Sequence, residues 1–198
     1  MKNKSKDGGL FIVDNSEKWN VRRYLGEWCD YAETMDVASG YFEIGSLLSL
    51  DGQWQKLKNI RVLMGNEVTW RTQRAFDVAL NNIRGGLNES IENEKEENDF
   101  LDGVPAIVDA LQNKKIICKV FREKKFHAKT FITHGKSDVV GSTALVGSSN
   151  FTKPGLEQNV ELNVQIKPYA EVELLQQWFE KHWKKSEEIS PEILKVIK

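Results

Sequence analysis

Cysteine, proline and long apolar runs are all scarce in this 198-residue chain, and each scarcity excludes something. Only Cys29 and Cys118 occur, both in apolar surroundings and without CxxC spacing. They read as small buried hydrophobes rather than a disulfide or a metal pair, in keeping with a reducing compartment. No apolar stretch approaches the roughly 18 residues that a membrane-spanning helix needs. The opening MKNKSKDGG is polar and has no apolar h-region, so no secretory signal is expected and the location read from the sequence is cytoplasmic. Charge of one sign is also missing, since 28 Lys and Arg stand against 29 Asp and Glu. Bulk charge therefore advertises neither nucleic acid nor membrane, and any such partner has to be read from local patches. No internal repeat is visible. The remainder, 40% hydrophobic and 29% charged, is ordinary for one domain with a core of its own.

Periodicity supplies the elements. Asp14 with Glu17 reads as a capping box ahead of a helix whose apolar face is Val21, Tyr24, Leu25 and Trp28. MDVASGYF and NIRVLMG read as short apolar strands, with GSLLSLDGQWQKL between them as a helix. From Thr69, an N-cap, a further amphipathic helix runs through Phe76, Ala79, Leu80, Ile83 and Leu87. Residues 88–99 are acidic and weakly patterned, a solvated face rather than a carboxylate cluster. PAIVDALQN is the next helix. KIICKVFRE, HAKTFITH, TALVGSSN and NVELNVQI follow as strands, with HGKSD as a turn. A last helix carries Val172, Leu175, Trp178, Phe179 and Trp183 on its apolar face. The pattern predicts an α/β fold, a mixed β-sheet flanked by helices on both faces. Residues 1–13 are expected to be a flexible N-terminus and 14–185 the domain. Residues 186–198 read as a linker and the start of a helical extension, the pattern stopping as though a longer chain continued.

Three of the strands carry polar side chains of complementary kinds. Residues i and i+2 share a face of a strand, so His127 and Lys129 project together, as do Ser148 and Asn150. In NVELNVQI, Val160, Leu162, Val164 and Ile166 line one face, and Glu161, Asn163 and Gln165 the other. Consecutive strands are usually neighbours, which gathers an imidazole, an ammonium, a hydroxyl, an amide and a carboxylate. A lone histidine on a strand is more often a hydrogen-bonded core residue, and Ser-Ser-Asn alone is usually a turn. Their coincidence on three successive strands favours a site. Attack on a phosphodiester needs this set: an imidazole to reach phosphorus, cations and neutral donors for the non-bridging oxygens, and a carboxylate to orient the ring.

HAK followed by GSSNFT resembles the phospholipase D superfamily signature, H-x-K, an acidic residue, then G-S-x-N. Within it the match is to the bacterial nucleases that carry one copy of the motif. The stretch from Asp14 to about Thr69, including ASGYFEIGSLLSLDGQWQKLKNIRVLMGNEVT, also resembles the phospholipase D-like domain at the front of bacterial superfamily 2 helicases. The resemblance implies a phospholipase D-like α-β-α sandwich, with His127 as a nucleophile that forms a covalent phosphohistidine. It implies that Lys129 and Asn150 hold the phosphate with Ser148 assisting, that Glu161 bonds the histidine ring, and that no metal or other cofactor takes part. No Asp/Glu/His cluster of metal-ligand spacing surrounds the motif. The motif aspartate is out of place: His134 stands near its position and Asp138 lies further along, so the acid is either displaced to Asp138 or missing.

A two-step transfer needs a nucleophile on one side of phosphorus and a proton donor on the other. One motif supplies one histidine, so a homodimer sharing one active site is expected, His127 facing His127 across a twofold axis. The substrate class comes from Lys114, Lys115, Lys119, Arg122, Lys124, Lys125 and Lys129, which stand against the single acid Glu123. Of these, Lys119, Arg122, Lys124 and Lys125 are the candidate nucleic-acid contacts, DNA ahead of RNA; the rival reading is a strand edge kept soluble by lysines. Trp54 and Trp70 fall outside the helical stripes and are candidates for stacking on bases. No interfacial helix with a basic face points to lipid. The sequence thus reads as a metal-independent phosphodiesterase acting on nucleic acid, a nuclease-like module of a helicase or restriction system. Its rival is a catalytically silent nucleic-acid-binding or dimerisation module attached to a helicase motor.

Overall fold

The computed structural model describes residues 10–68 and 103–190. The helix expected from Thr69, the acidic stretch 88–99, Trp70 and the helix expected after Pro191 lie outside the described residues. Strand β1 (Phe11–Val13) leads to helix α1 (Val21–Tyr31), β2 (Ala32–Phe42), α2 (Ile44–Ser49), a 3-10 turn (Trp54–Lys56) and β3 (Asn59–Val68). Then come α3 (Val104–Gln112), β4 (Ile116–Val120), β5 (Lys129–Gly135) and β6 (Ser142–Gly147). The last elements are α4 (Lys153–Glu157), β7 (Asn163–Ile166), α5 (Tyr169–Lys184) and β8 (Glu187–Glu188).

The strands form one mixed sheet in the order β1-β7-β6-β5-β2-β3-β4-β8. β2, β3 and β4 run parallel, and the other pairs are antiparallel. Side chains alternate between its faces. Met35, Val37, Val62 and Phe131 pack with Val21 and Leu25 of α1, Leu47 of α2 and Ile107 of α3. Ala38, Leu63, Ile132 and Ala144 meet Val172, Phe179 and Trp183 of α5. Helices therefore cover both faces, and the central strands carry apolar side chains on both, interrupted by Asp36 in β2 and Arg61 in β3, because neither face meets water.

Several local expectations are corrected. Helix α1 starts later than a cap at Asp14 would place it. Its N-cap is Asn20, whose Oδ1 accepts from the Arg23 N–H (2.8 Å), while Asp14 accepts from the Ser16 N–H (3.1 Å) in a local turn. The helix expected over GSLLSLDGQWQKL is broken at Gly52, which adopts φ +71°, a left-handed conformation that a helix cannot contain. Trp54 lies just past the break and is 1% exposed, so it belongs to the core and offers no ring to a base. Residues 11–13, expected to be flexible, form the edge strand β1, where Val13 is fully buried. The linker expected from 186 instead returns to the sheet. β8 pairs with β4, Ile189 is buried, and the Ser190 hydroxyl accepts from the Cys118 N–H (3.0 Å). Cys29 and Cys118 are buried thiols, and burial pushes both up to about 12, which makes them poor nucleophiles.

Under α5 the sheet carries a buried charge network. The Asp36 carboxylate takes two bonds from Arg61 (2.6 Å each), one from the Gln176 amide (3.0 Å) and a contact with His134 Nε2 (3.1 Å). Arg61 continues to Glu180 (2.7 Å). Burial works against ionisation of Asp36, but the bonds from His134 and Arg61 outweigh it and hold the carboxyl below its ordinary range. A carboxyl depressed on folding contributes stability above its unfolded pKa, near 4, and loses that contribution as pH falls through the folded value. Asp36→Asn, which takes from half-buried Arg61 its bidentate carboxylate and leaves it only Glu180, is expected to cost about 3 kcal/mol in urea unfolding at pH 7. It should also flatten the decline of stability below pH 5, measured by repeating the melts from pH 7 to pH 3.

Candidate active site

The site is built where β2 and β5 end side by side. Their ladder closes with Ser39 opposite Lys129, so His127 and Ala128 lie just ahead of it in extended chain. A Cβ on Gly40 would stand 3.0 Å from His127 Cδ2 and 3.3 Å from Lys129 Nζ. The missing side chain of Gly40 is thus the space over which both groups meet, and their shared orientation follows from the i, i+2 geometry although His127 is outside the ladder. Lys129 Nζ donates to the His127 carbonyl (3.0 Å), tying the ammonium to the backbone of the histidine. The His127 side chain is exposed and meets the Tyr41 ring edge-on, 6.2 Å between centroids. Among the described residues its ring nitrogens have no hydrogen-bond partner.

The Ser-Ser-Asn segment reaches this place because the chain after β6 turns past the start of β5. Phe151 bridges Phe42 in parallel, and the Glu43 N–H donates to the Phe151 carbonyl (3.0 Å). Phe151 is fully buried and stacks on Phe42, 5.6 Å between centroids. The buried Ser39 hydroxyl accepts from the Phe151 N–H (2.8 Å) and donates to the Tyr41 carbonyl (2.5 Å). The Tyr41 N–H donates to Asn150 Oδ1 (3.1 Å). With its oxygen so used, Asn150 keeps its Nδ2 hydrogens for an anion. Between the two outward residues, Ser149 points inward to Asn163. Ser149 N–H donates to Asn163 Oδ1 (3.3 Å), and Asn163 Nδ2 reaches both Ser149 Oγ (2.9 Å) and the Val13 carbonyl (3.1 Å). Ser39, Gly40 and Asn163 were not singled out as site residues from the sequence. Their only signal was a serine and a glycine interrupting MDVASGYF and an asparagine on the polar face of NVELNVQI.

Glu161 is placed differently from expectation. Its carboxylate accepts from the Ser148 hydroxyl and from the Asn159 amide (3.2 Å), and among the described residues it makes no bond to His127. The cause is local: β7 begins only at Asn163, so residues 159–162 leave the strand alternation, and Val160 and Leu162 stand 99% and 60% exposed instead of facing a core. Ser148 Oγ accepts from the Leu162 N–H (3.0 Å), which fixes this loop on the serine. Desolvation lowers the pKa of the Lys129 ammonium, and the Glu161 charge opposes that, so the carboxylate is felt at the lysine of the motif.

The basic stretch divides in two. Lys119 turns to α5, where its Nζ donates to the Trp183 carbonyl (3.2 Å) and lies 4.8 Å over the Trp183 ring. Lys115 likewise donates to the Gln55 carbonyl (2.6 Å). Arg122, Lys124 and Lys125 stay beside His127 around one depression, with Arg122 also bonded to Glu187 (2.8 Å). His134 sits at the far end of β5 on Asp36, and Asp138 is exposed in the following turn, so neither joins the site. Among the described residues no group of three or more His, Cys, Asp or Glu is placed to hold a metal ion, and no helix is long and apolar enough to cross a membrane.

The sequence matches the family described as "Cardiolipin synthase, PLD-like domain" over residues 59–183. With more than half of its length matched, the chain belongs to this phospholipase D-like family. No curated protein matches it. Among solved structures it is similar to Nuc, a phospholipase D family member from Salmonella typhimurium, at 15% identity. That likeness covers 91% of this chain and 97% of Nuc with a TM-score of 0.55. NucT from Helicobacter pylori is 12% identical, with 90% and 96% covered and a TM-score of 0.52. Phosphatidylserine synthase from Haemophilus influenzae Rd KW20 is 9% identical, with 92% and 39% covered and the same TM-score. These are likenesses of fold, and they identify the mixed sheet with helices on both faces as the phospholipase D-like fold.

The geometry makes Asn163 the support of the Ser-Ser-Asn segment. Asn163→Ala, which leaves Ser149 N–H and the Val13 carbonyl without their partners, is expected to lower stability by about 3 kcal/mol, read from urea unfolding midpoints.

Proposed function

We propose that this chain is a metal-independent phosphodiesterase acting on nucleic acid, working as a homodimer and serving as the nuclease-like module of a helicase or restriction system. The observation that carries the proposal is the meeting of His127 and Lys129 over Gly40, beside an Asn150 amide whose oxygen is already occupied. Membership of the phospholipase D-like family supports the same chemistry. The resemblance of residues 14–69 to the helicase-associated domain supports the setting.

In this reading a ring nitrogen of His127 attacks phosphorus, and the P–N bond forms as the bond to the leaving ester oxygen breaks. His127 of a second copy, as imidazolium, gives that oxygen its proton. Water then attacks the phosphohistidine, passes a proton to the second imidazole and breaks the P–N bond, returning both rings to their starting states. Lys129 and the Asn150 Nδ2 group hold the charge on the non-bridging oxygens, with the Ser148 hydroxyl beside them. Glu161 keeps that hydroxyl and the Lys129 charge in place. Exposed Val160 and Leu162 flank Glu161 and supply apolar surface for the second copy to cover.

The engagement of Glu161 with Ser148 and Asn159 also favours a second reading, a nucleic-acid-binding module in which the histidine is not activated. One assay separates the two. Single- and double-stranded DNA and RNA are incubated in EDTA with the wild type and with His127→Ala. The enzyme reading expects cleavage that falls by about a thousandfold in the variant, an acid-labile phosphoenzyme in the wild type only, and a dimer by light scattering. Binding without cleavage by both proteins would establish the silent module instead.

A further inference from the structure

A depression of about 300 Å³ opens beside His127. Buried Phe121 and Phe126 form its floor, Tyr41 and His127 stand at one side, and Lys124 and Lys125 are exposed at its rim. It exists because two strand ends carry no side chain. A Cβ on Gly65 would lie 2.8 Å from the Gly40 carbonyl oxygen and 3.0 Å from the Phe126 carbonyl oxygen, so β2, β3 and the 126–127 segment approach backbone to backbone. The floor is held from below by α5, where Phe126 stacks on Trp178 at 6.0 Å and Phe121 meets the His182 ring at 5.3 Å. The reaction proposed above uses only the edge of this space. It needs a phosphate over Gly40, which lines one edge of the depression together with His127, and it leaves the part bounded by Tyr41, Phe121 and Phe126 unassigned.

We infer that the depression takes one unpaired nucleobase adjacent to the scissile phosphate, an inference that rests on the nucleic-acid reading of the site. Three features point to this class of ligand. An aromatic ring, Tyr41, stands perpendicular to the His127 ring at 88°, so a flat group packed on it adjoins the nucleophile. Two lysines border the same space for the backbone that the base carries, and aromatic stacking beside a cationic rim is how single strands are bound without sequence preference. The size suits one base with its sugar, whereas a base inside a duplex has to leave the stack before it can enter. A lipid headgroup diester would use the lysines and leave the aromatic wall unused.

The test uses oligonucleotides, DNA in one series and RNA in the other, with a single cleavable phosphodiester in a phosphorothioate backbone. An abasic residue is moved stepwise past that linkage. Loss of the base at one adjacent position is expected to lower kcat/KM of the wild type by about tenfold or more. Tyr41→Ala should bring the intact oligonucleotide to the same level and remove the abasic effect, while Tyr41→Phe retains it. In parallel, 2-aminopurine at that position reports binding by fluorescence quenching in the wild type and in His127→Ala, with less quenching in Tyr41→Ala. Cleavage that is indifferent to every abasic position would overturn the pocket and leave the proposed reaction standing. No cleavage with Tyr41-dependent quenching would sink the reaction and keep the pocket. Absence of quenching in the wild type would remove the pocket whatever the cleavage result.

Discussion

Everything at the site depends on one tie between segments that are not neighbours in the sheet. β6 and β2 are separated by β5, yet the chain leaving β6 bridges the end of β2 through Phe151 and Phe42. That crossing is possible because β5 starts only at Lys129, leaving room ahead of it. The two phenylalanines stabilise it by burial, and Ser39 satisfies the Phe151 N–H that the crossing would otherwise leave buried and unpaired. Asn150 is carried into place as a by-product of this packing, and the Tyr41 N–H then sets which end of its amide faces out. Core packing and site geometry are one arrangement here, and loss of the first would scatter the second.

The molecule keeps its polar interior in two separate places with different tasks. At the far end of β5 Asp36, Arg61, His134, Gln176 and Glu180 bond to one another under the cover of α5, and both carboxylates meet the Arg61 guanidinium. At the near end His127, Lys129 and the Asn150 Nδ2 group face outward with capacity left over. A site that binds an anion has to be incomplete in this sense, since a carboxylate already paired to the lysine and amide would leave no place for a phosphate.

How much of this was legible in the sequence follows from the range of each interaction. The pairing of His127 with Lys129, and of Ser148 with Asn150, was legible because two-residue spacing fixes a shared direction in any extended chain, ladder or not. Glu161 was misplaced because the same rule was carried two residues beyond the start of β7, into a loop held by Ser148. Lys119 was read by its charge among other lysines, but a linear charge pattern does not say which face of β4 meets α5 and Trp183. Trp54 escaped the helical stripes because Gly52 ends the helix, and it lands in the core by a turn that periodicity cannot see. The partner of His134 was invisible for another reason. Asp36 lies 98 positions away, and only strand order brings the two together.

The sheet ends on both sides in very short strands, three residues in β1 and two in β8. Such borders offer few open main-chain groups, so another polypeptide has little ladder to add to and lateral growth of the sheet is discouraged. Contact with another polypeptide is thereby steered away from continuous-sheet pairing and toward side-chain surfaces, those at the strand ends beside His127 among them.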